Sequence, residues 1–275
     1  MSGSPSPDGP GTVRRPVPAG PDPAAPRRAD PDRSAARRAE IAAGLAAVRA
    51  RVAAAAAAAG RAADAVTLVV VTKTYPAADV GHLVALGVTE VGENRDQEAA
   101  PKAAAVAAAG PAPRWHFIGQ LQRNKAASVV TYADAVHSVD SVRLAGALAG
   151  AAARLRPAPL DVLVQVSLDA GPDAAARGGA VSGDDPDTGL DRVLAAVAGA
   201  GALRLRGLMA VAPLGERPAA AFDRLQHLAA RVRAAYPQAA LLSAGMSGDL
   251  EEAVACGATH VRVGSAVLGK RATPG

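Results

Sequence analysis

The chain has 275 residues, half of them hydrophobic and a fifth charged, with a formal net charge of +5. That length buries a sizeable core, as one large domain or two small ones. A charge so modest, with aromatic residues at 2% and none alternating with the arginines, argues against nucleic acid, and a single cysteine, Cys256, allows neither a disulfide framework nor a thiolate metal cage.

Residues 1–33 carry nine of the 21 prolines, and their arginine pairs Arg14-Arg15 and Arg27-Arg28 are partly offset by Asp8, Asp22, Asp30 and Asp32. Without apolar periodicity this Pro/Arg-rich stretch cannot offset its ordering entropy and is expected to be a disordered tail. It has no hydrophobic signal core, and the alanine run Val52 to Ala59 is far too short to span a bilayer. The expectation is a cytoplasmic protein with no membrane partner. Ser34 is placed as the cap of a helix whose apolar stripe is Ile41, Leu45, Val48 and Val52 and whose end is Gly60.

The continuous apolar run Val66 to Val71 ends abruptly in Thr72-Lys73-Thr74. A run so short and unalternating is a strand buried on both faces, as in a parallel sheet. From there strands alternate with helices. The strands are expected at 66–72, 88–92, 114–118, 134–138, 160–168, 205–210, 240–243 and 260–263, and the helices near 77–86, 94–109, 122–130, 141–154, 187–200, 216–235 and 248–256. Eight such units in roughly 200 residues predict an α/β fold, a TIM-like (β/α)8 barrel spanning 34–271 with a short end at 272–275. An open doubly wound sheet gives the same alternation, but no Gly-x-Gly-x-x-Gly follows the first strand.

In a barrel, chemistry gathers at the carboxyl ends of the strands. Lys73 there is either a solvated strand cap or an amine able to attack an aldehyde. Ser243 to Asp249, with Gly245 and Ser247, is a small-residue loop leading into a helix, and Gly264-Ser265 repeats the arrangement after strand eight. Such loops cradle a phosphate through free backbone N–H groups, or they are tight turns with helix caps. An amine, a phosphate cradle and Arg262 on a facing strand are the parts that hold pyridoxal phosphate (PLP). Arg262 then faces the pyridine nitrogen, where its fixed charge disfavours protonation. Alternatively it is ion-paired inside the barrel with Glu90 or Glu93. His116, between Trp115 and Phe117, is equally a packed core residue.

The motifs VTKTYP, VGEN followed by QE, WHFIGQLQRNK, HSVDS, RGLMAVAP and LSAGMSGDLEEAVACGATHVRVGSAVLG resemble, in order and spacing, the PLP homeostasis proteins. These are single-domain relatives of the alanine racemase barrel without its C-terminal β domain, and the resemblance covers about residues 35–271. It implies that Lys73 holds PLP through a Schiff base. It places Ser243, Gly245 and Ser247 in the loop near the phosphate, Gly264 and Ser265 in the second phosphate loop, Arg262 at the pyridine nitrogen, and Asn94 and Met209 against the ring. Relatives often carry a lysine where this chain has Arg177 in Ala176-Arg177-Gly178-Gly179; a guanidinium keeps the charge but cannot form a Schiff base. The polar loop at 180–188 is expected to be mobile.

Two function classes follow. The resemblance implies a carrier and regulator in PLP homeostasis, without dedicated catalysis, with PLP-dependent apoenzymes as candidate recipients. The alternative is an amino-acid racemase or related enzyme. Barrel racemases take a second proton-transfer tyrosine from an added β domain; here the chain runs only to Gly275, and of Tyr75, Tyr132 and Tyr236 only Tyr75 is near a strand end. Slow side reactions remain open, and without that domain a monomer is expected. A phosphosugar-binding barrel with a structural Lys73 has no carboxylate pair or metal cluster to support it.

Overall fold

The computed structural model describes residues 31–169 and 178–269. Eight parallel strands close into a barrel in sequence order: β1 (Thr67–Val71), β2 (Glu90–Glu93), β3 (Arg114–Phe117), β4 (Ala135–Val139), β5 (Leu160–Gln165), β6 (Leu203–Met209), β7 (Leu241–Ser243) and β8 (His260–Val263). Closure is made by β8 on β1, with Leu68 opposite Val261 and Val69 opposite Arg262. The barrel is the expected one, and the open sheet is excluded.

Helix α1 (Pro31–Ala58) precedes β1, and α2 (Ala77–Ala85), α3 (Asp96–Ala109), α4 (Ala126–Tyr132), α5 (Val142–Leu155), α6 (Leu190–Ala198), α7 (Pro218–Ala235), α8 (Leu250–Ala255) and α9 (Ser265–Leu268) follow the strands in turn. Local chemistry sets their ends. The Ser141 hydroxyl accepts from the backbone of Leu144 to cap α5, and proline opens α7 where its missing N–H has no cost. Outward strand residues such as Val70, Val91, Val261 and Val263 pack under the helices in one apolar layer, and Val136, Val162, Leu205 and Leu242 in another.

The last two helices have only six and four residues and cannot cover their strands. Helix α1 completes the ring there, burying Ile41, Leu45, Val48, Val52, Ala55 and Ala56 against the barrel. Each of its four large apolar side chains contributes about 2 kcal/mol of burial. Gly44 permits the close approach: a Cβ there would run into the carbonyl oxygen of Val267 in α9. Arg51 pairs with Glu251 at 2.8 Å, and Arg61 donates to the carbonyls of Val254 and Ala258. By length and composition alone α1 could cross a membrane, yet its apolar stripe is spent on the barrel.

Several boundaries differ from expectation. Helix α1 starts at Pro31, so residues 31–33 belong to it and Ser34 lies inside its first turn, with Oγ 3.4 Å from His82 Nε2. Residues 1–30 of the expected tail lie outside the described residues. Strand β2 runs on to Glu93, which pairs with Phe117, and β5 stops at Gln165 because the backbone of Ser167 turns to the carbonyl of Ala180. Within the loop at 180–188, Val181 bridges Gly189, and Asp185 Oδ1 accepts from the backbones of Asp187 and Thr188 and from the Thr188 hydroxyl. Ala176 and Arg177 lie outside the described residues. Helix α9 was not anticipated. Cys256 sits half-buried at the end of α8, where burial pushes its thiol pKa up.

Candidate functional site

Alternate strand residues point into the barrel. On β1 the inward series Val69, Val71 continues past the strand to Lys73; on β2 it runs Glu90, Gly92, Asn94; on β3 His116, Ile118; on β6 Met209, Val211; on β8 His260, Arg262, Gly264. The carboxyl ends of these series line a cavity of about 460 Å³, joined by Tyr75, Met246, Ser247, Ser265 and Gly269. Of the residues expected at the site, Lys73, Asn94, Met209, Ser247, Arg262, Gly264 and Ser265 come together here. Ser243 and Gly245 do not line the cavity.

Lys73 is exposed, and its amine has no hydrogen-bond partner among the described residues. The backbone beneath it is fixed. Thr72 is fully buried; its N–H donates to the Gly92 carbonyl at 2.9 Å and its hydroxyl to Glu93 Oε1 at 2.7 Å. Lys102 Nζ in turn donates to the Thr72 carbonyl at 2.7 Å and pairs with Glu93 at 2.6 Å. Thr74, at φ 69°, is the one non-glycine residue with positive φ among the described residues. Its N–H donates to Glu98 Oε2 at 3.0 Å and its hydroxyl to the Lys73 carbonyl. A β-branched residue held in the left-handed region stores about 1–2 kcal/mol, and such strain concentrates at functional positions.

Arg262 is 5% exposed. Nη1 donates to Ser243 Oγ at 2.7 Å, Nη2 to the Ala210 carbonyl at 2.9 Å, and the backbone N–H to the Gly245 carbonyl at 2.9 Å. This is what Ser243 and Gly245 do: they seat Arg262. Gly245 adopts φ +89°, and a Cβ on it would meet the Ala253 methyl at 2.7 Å. The expected alternative of an ion pair with Glu90 or Glu93 is excluded, because Glu90 is bound to His116 and Glu93 to Lys102. Among the described residues no carboxylate pairs with Arg262. Burial pulls its pKa down to about 10, opposed by the charge of Asp249, so it is a cation at neutral pH.

Asp249 Oδ1 accepts from the Met246 backbone at 2.5 Å and shapes the β7–α8 loop. The backbone N–H groups of Ser247, Gly248, Ser265 and Ala266 have no acceptor among the described residues. His116 is buried below the cavity rather than lining it, as the packed-core alternative holds. Tyr75 does reach the cavity, with its hydroxyl donating to the Gly269 carbonyl at 2.5 Å and Arg37 over its ring at 5.9 Å. Sequence reasoning missed Ile118 and Val211, though each lies two positions beyond a residue it singled out. It also missed that Thr72 and Glu93, both inside quoted motifs, form a network with Lys102, which lies in none.

The model of the alanine racemase N-terminal domain matches residues 44–272. The PLP homeostasis protein of Mycobacterium bovis is 46% identical over 248 residues, 86% of this chain and 94% of its own. The protein of the same name from Escherichia coli K12 is 36% identical, over 84% of this chain and 97% of its own. The solved structure of PipY from Synechococcus elongatus PCC7942 with PLP bound superimposes with a TM-score of 0.67 at 34% identity, covering 83% of this chain and 100% of that one.

Proposed function

The chain belongs to the PLP homeostasis protein family, and on that premise we propose that it binds PLP at the carboxyl end of its barrel and serves to hold and supply the cofactor. When bound, PLP offers an aldehyde that an amine captures and an electron-withdrawing pyridine ring. The residues present fit it. Among the described residues, Lys73 supplies an amine free of partners, Arg262 a buried guanidinium that no carboxylate pairs with, and the Ser247 and Ser265 segments N–H donors without an acceptor, suited to a phosphate. Asn94, Ile118 and Met209 line the same cavity. A permanent positive charge at Arg262 keeps a facing pyridine nitrogen unprotonated and so weakens the ring as an electron sink.

The observation that carries this reading is that Lys73 and Arg262, neither of them paired with a carboxylate among the described residues, share one cavity. A second supports holding over catalysis: among the described residues no histidine, cysteine or carboxylate lines that cavity, and the Tyr75 hydroxyl is already bonded to Gly269. Two-base racemisation needs a second group to deliver a proton on the opposite face. The amine is open to solvent, which suits reversible loading and transfer to apoenzymes in the cytoplasm.

The test is a spectrophotometric titration of the purified protein with PLP, followed by addition of L- and D-alanine and then of a PLP-dependent apoenzyme. We expect stoichiometric uptake, no racemisation above the free-PLP background, and activation of the apoenzyme. Racemisation well above background would replace the carrier by the enzyme reading.

A further inference from the structure

The middle of this barrel holds ionisable side chains where aliphatic layers are usual. His116 and His137 are 3% and 1% exposed, and Ser243 is fully buried. They are linked in series. Glu90 Oε2 meets His116 Nε2; His116 Nδ1 lies 2.8 Å from His137 Nε2; His137 Nδ1 lies 2.9 Å from Ser243 Oγ; and Ser243 Oγ accepts from Arg262 Nη1 at 2.7 Å. Glu90 is the first residue of β2, at the amino end of the barrel, and its side chain is 16% exposed. The chain therefore crosses the interior from floor to cavity.

Its two ends fix its direction. A guanidinium only donates and a carboxylate only accepts. Ser243, already accepting from Arg262, has one O–H to give, and it goes to His137 Nδ1. His137 then carries its proton on Nε2 and donates to His116 Nδ1; His116 carries its own on Nε2 and donates to Glu90. Every member is satisfied with both imidazoles neutral, while the reverse order requires an imidazolium or a protonated Glu90. Burial holds His137 well below its usual pKa, helped by the fixed charge of Arg262, and pushes His260, 6.3 Å from both rings, down to about 4. Arg114, Arg206 and Asp249 are the other charges acting on the group.

We propose that Glu90, His116, His137 and Ser243 form a one-directional hydrogen-bond relay that positions Arg262, with His137 as the central positioning residue. The placement of the guanidinium against the cofactor ring is thereby governed from the opposite end of the barrel. The coupling to PLP rests on the function proposed above; the relay does not.

Two arms separate them. In PLP-free wild-type protein, ¹⁵N NMR of the imidazoles is expected to put the proton on Nε2 of both His116 and His137 at neutral pH. A proton on His137 Nδ1, or an imidazolium at either residue, overturns the relay. In PLP-loaded protein, Ser243→Ala is expected to weaken PLP binding about tenfold, the loss of one hydrogen bond to a charged group. Both it and Glu90→Leu should shift the visible band, while Glu90→Gln, which keeps an acceptor, returns the wild-type spectrum. Wild-type spectrum and affinity in Glu90→Leu overturn the coupling. If the wild type takes up no PLP, the site reading fails and the NMR result still decides the relay.

Discussion

Arg262 donates to the Ser243 hydroxyl at 2.7 Å, so a buried cation at the cavity wall is held by a neutral group instead of a carboxylate. The charge is thus left available to a ligand. An Asp or Glu in place of Ser243 would neutralise it and cancel the feature that makes the cavity suited to a ring nitrogen.

Replacing Arg262 by Gln should therefore weaken PLP binding roughly 10- to 100-fold, the scale of one charge-assisted hydrogen bond. The cofactor should still attach at Lys73. Equilibrium titration with mass spectrometry of the adduct measures both; unchanged affinity would remove Arg262 from the site.

The Lys102 and Glu93 pair, at 2.6 Å beneath Lys73, is buried, with Glu93 Oε2 lacking a partner among the described residues. Lys102→Met alone strands a buried carboxylate and should cost about 3–5 kcal/mol, whereas Lys102→Met with Glu93→Leu should recover most of it. Urea unfolding of the two variants checks this. Equal losses in both would mean that the pair is not the origin.

Gly44→Ala brings a methyl into the Val267 carbonyl and should destabilise by about 1–3 kcal/mol. Because α9 begins with Ser265 of the cavity, PLP affinity should fall as well. Loss of stability with affinity untouched would show that α1 does not support the phosphate end.

The buried histidines set an acid limit on stability. His260 has a folded pKa near 4 against 6.5 when free, so between those values the unfolded chain takes up a proton that the folded protein refuses. Its contribution is complete above about pH 6.5 and is lost as pH falls towards 4, by about 3 kcal/mol, with His137 acting in the same direction. The urea midpoint should drop between neutral pH and about pH 4.5, and His260→Gln should flatten that drop. A midpoint that rises on acidification would reverse the assignment.

The barrel was legible because each strand is a short run bounded by turn residues; the ends of those runs pointed to Lys73, Arg262 and the two small-residue loops, while Asn94 and Met209 came from the family resemblance. Parity along a strand is a local property and carries to the site. What the sequence withheld is set by packing across the barrel. Nothing local shows that Ser243 turns inward beneath Arg262, that Glu90 is taken by His116 and Glu93 by Lys102, or that α1 fills the space left by α8 and α9. The start of α1 was missed because a serine is the stronger local cap signal, although Pro31 is equally at home in a first turn.

The most direct test of the central claim is borohydride reduction of the PLP-loaded protein followed by peptide mapping. One pyridoxyl adduct is expected, on Lys73, and none in Lys73→Ala. An adduct on Lys102 or on another lysine of the wild type, or none at all, would contradict it.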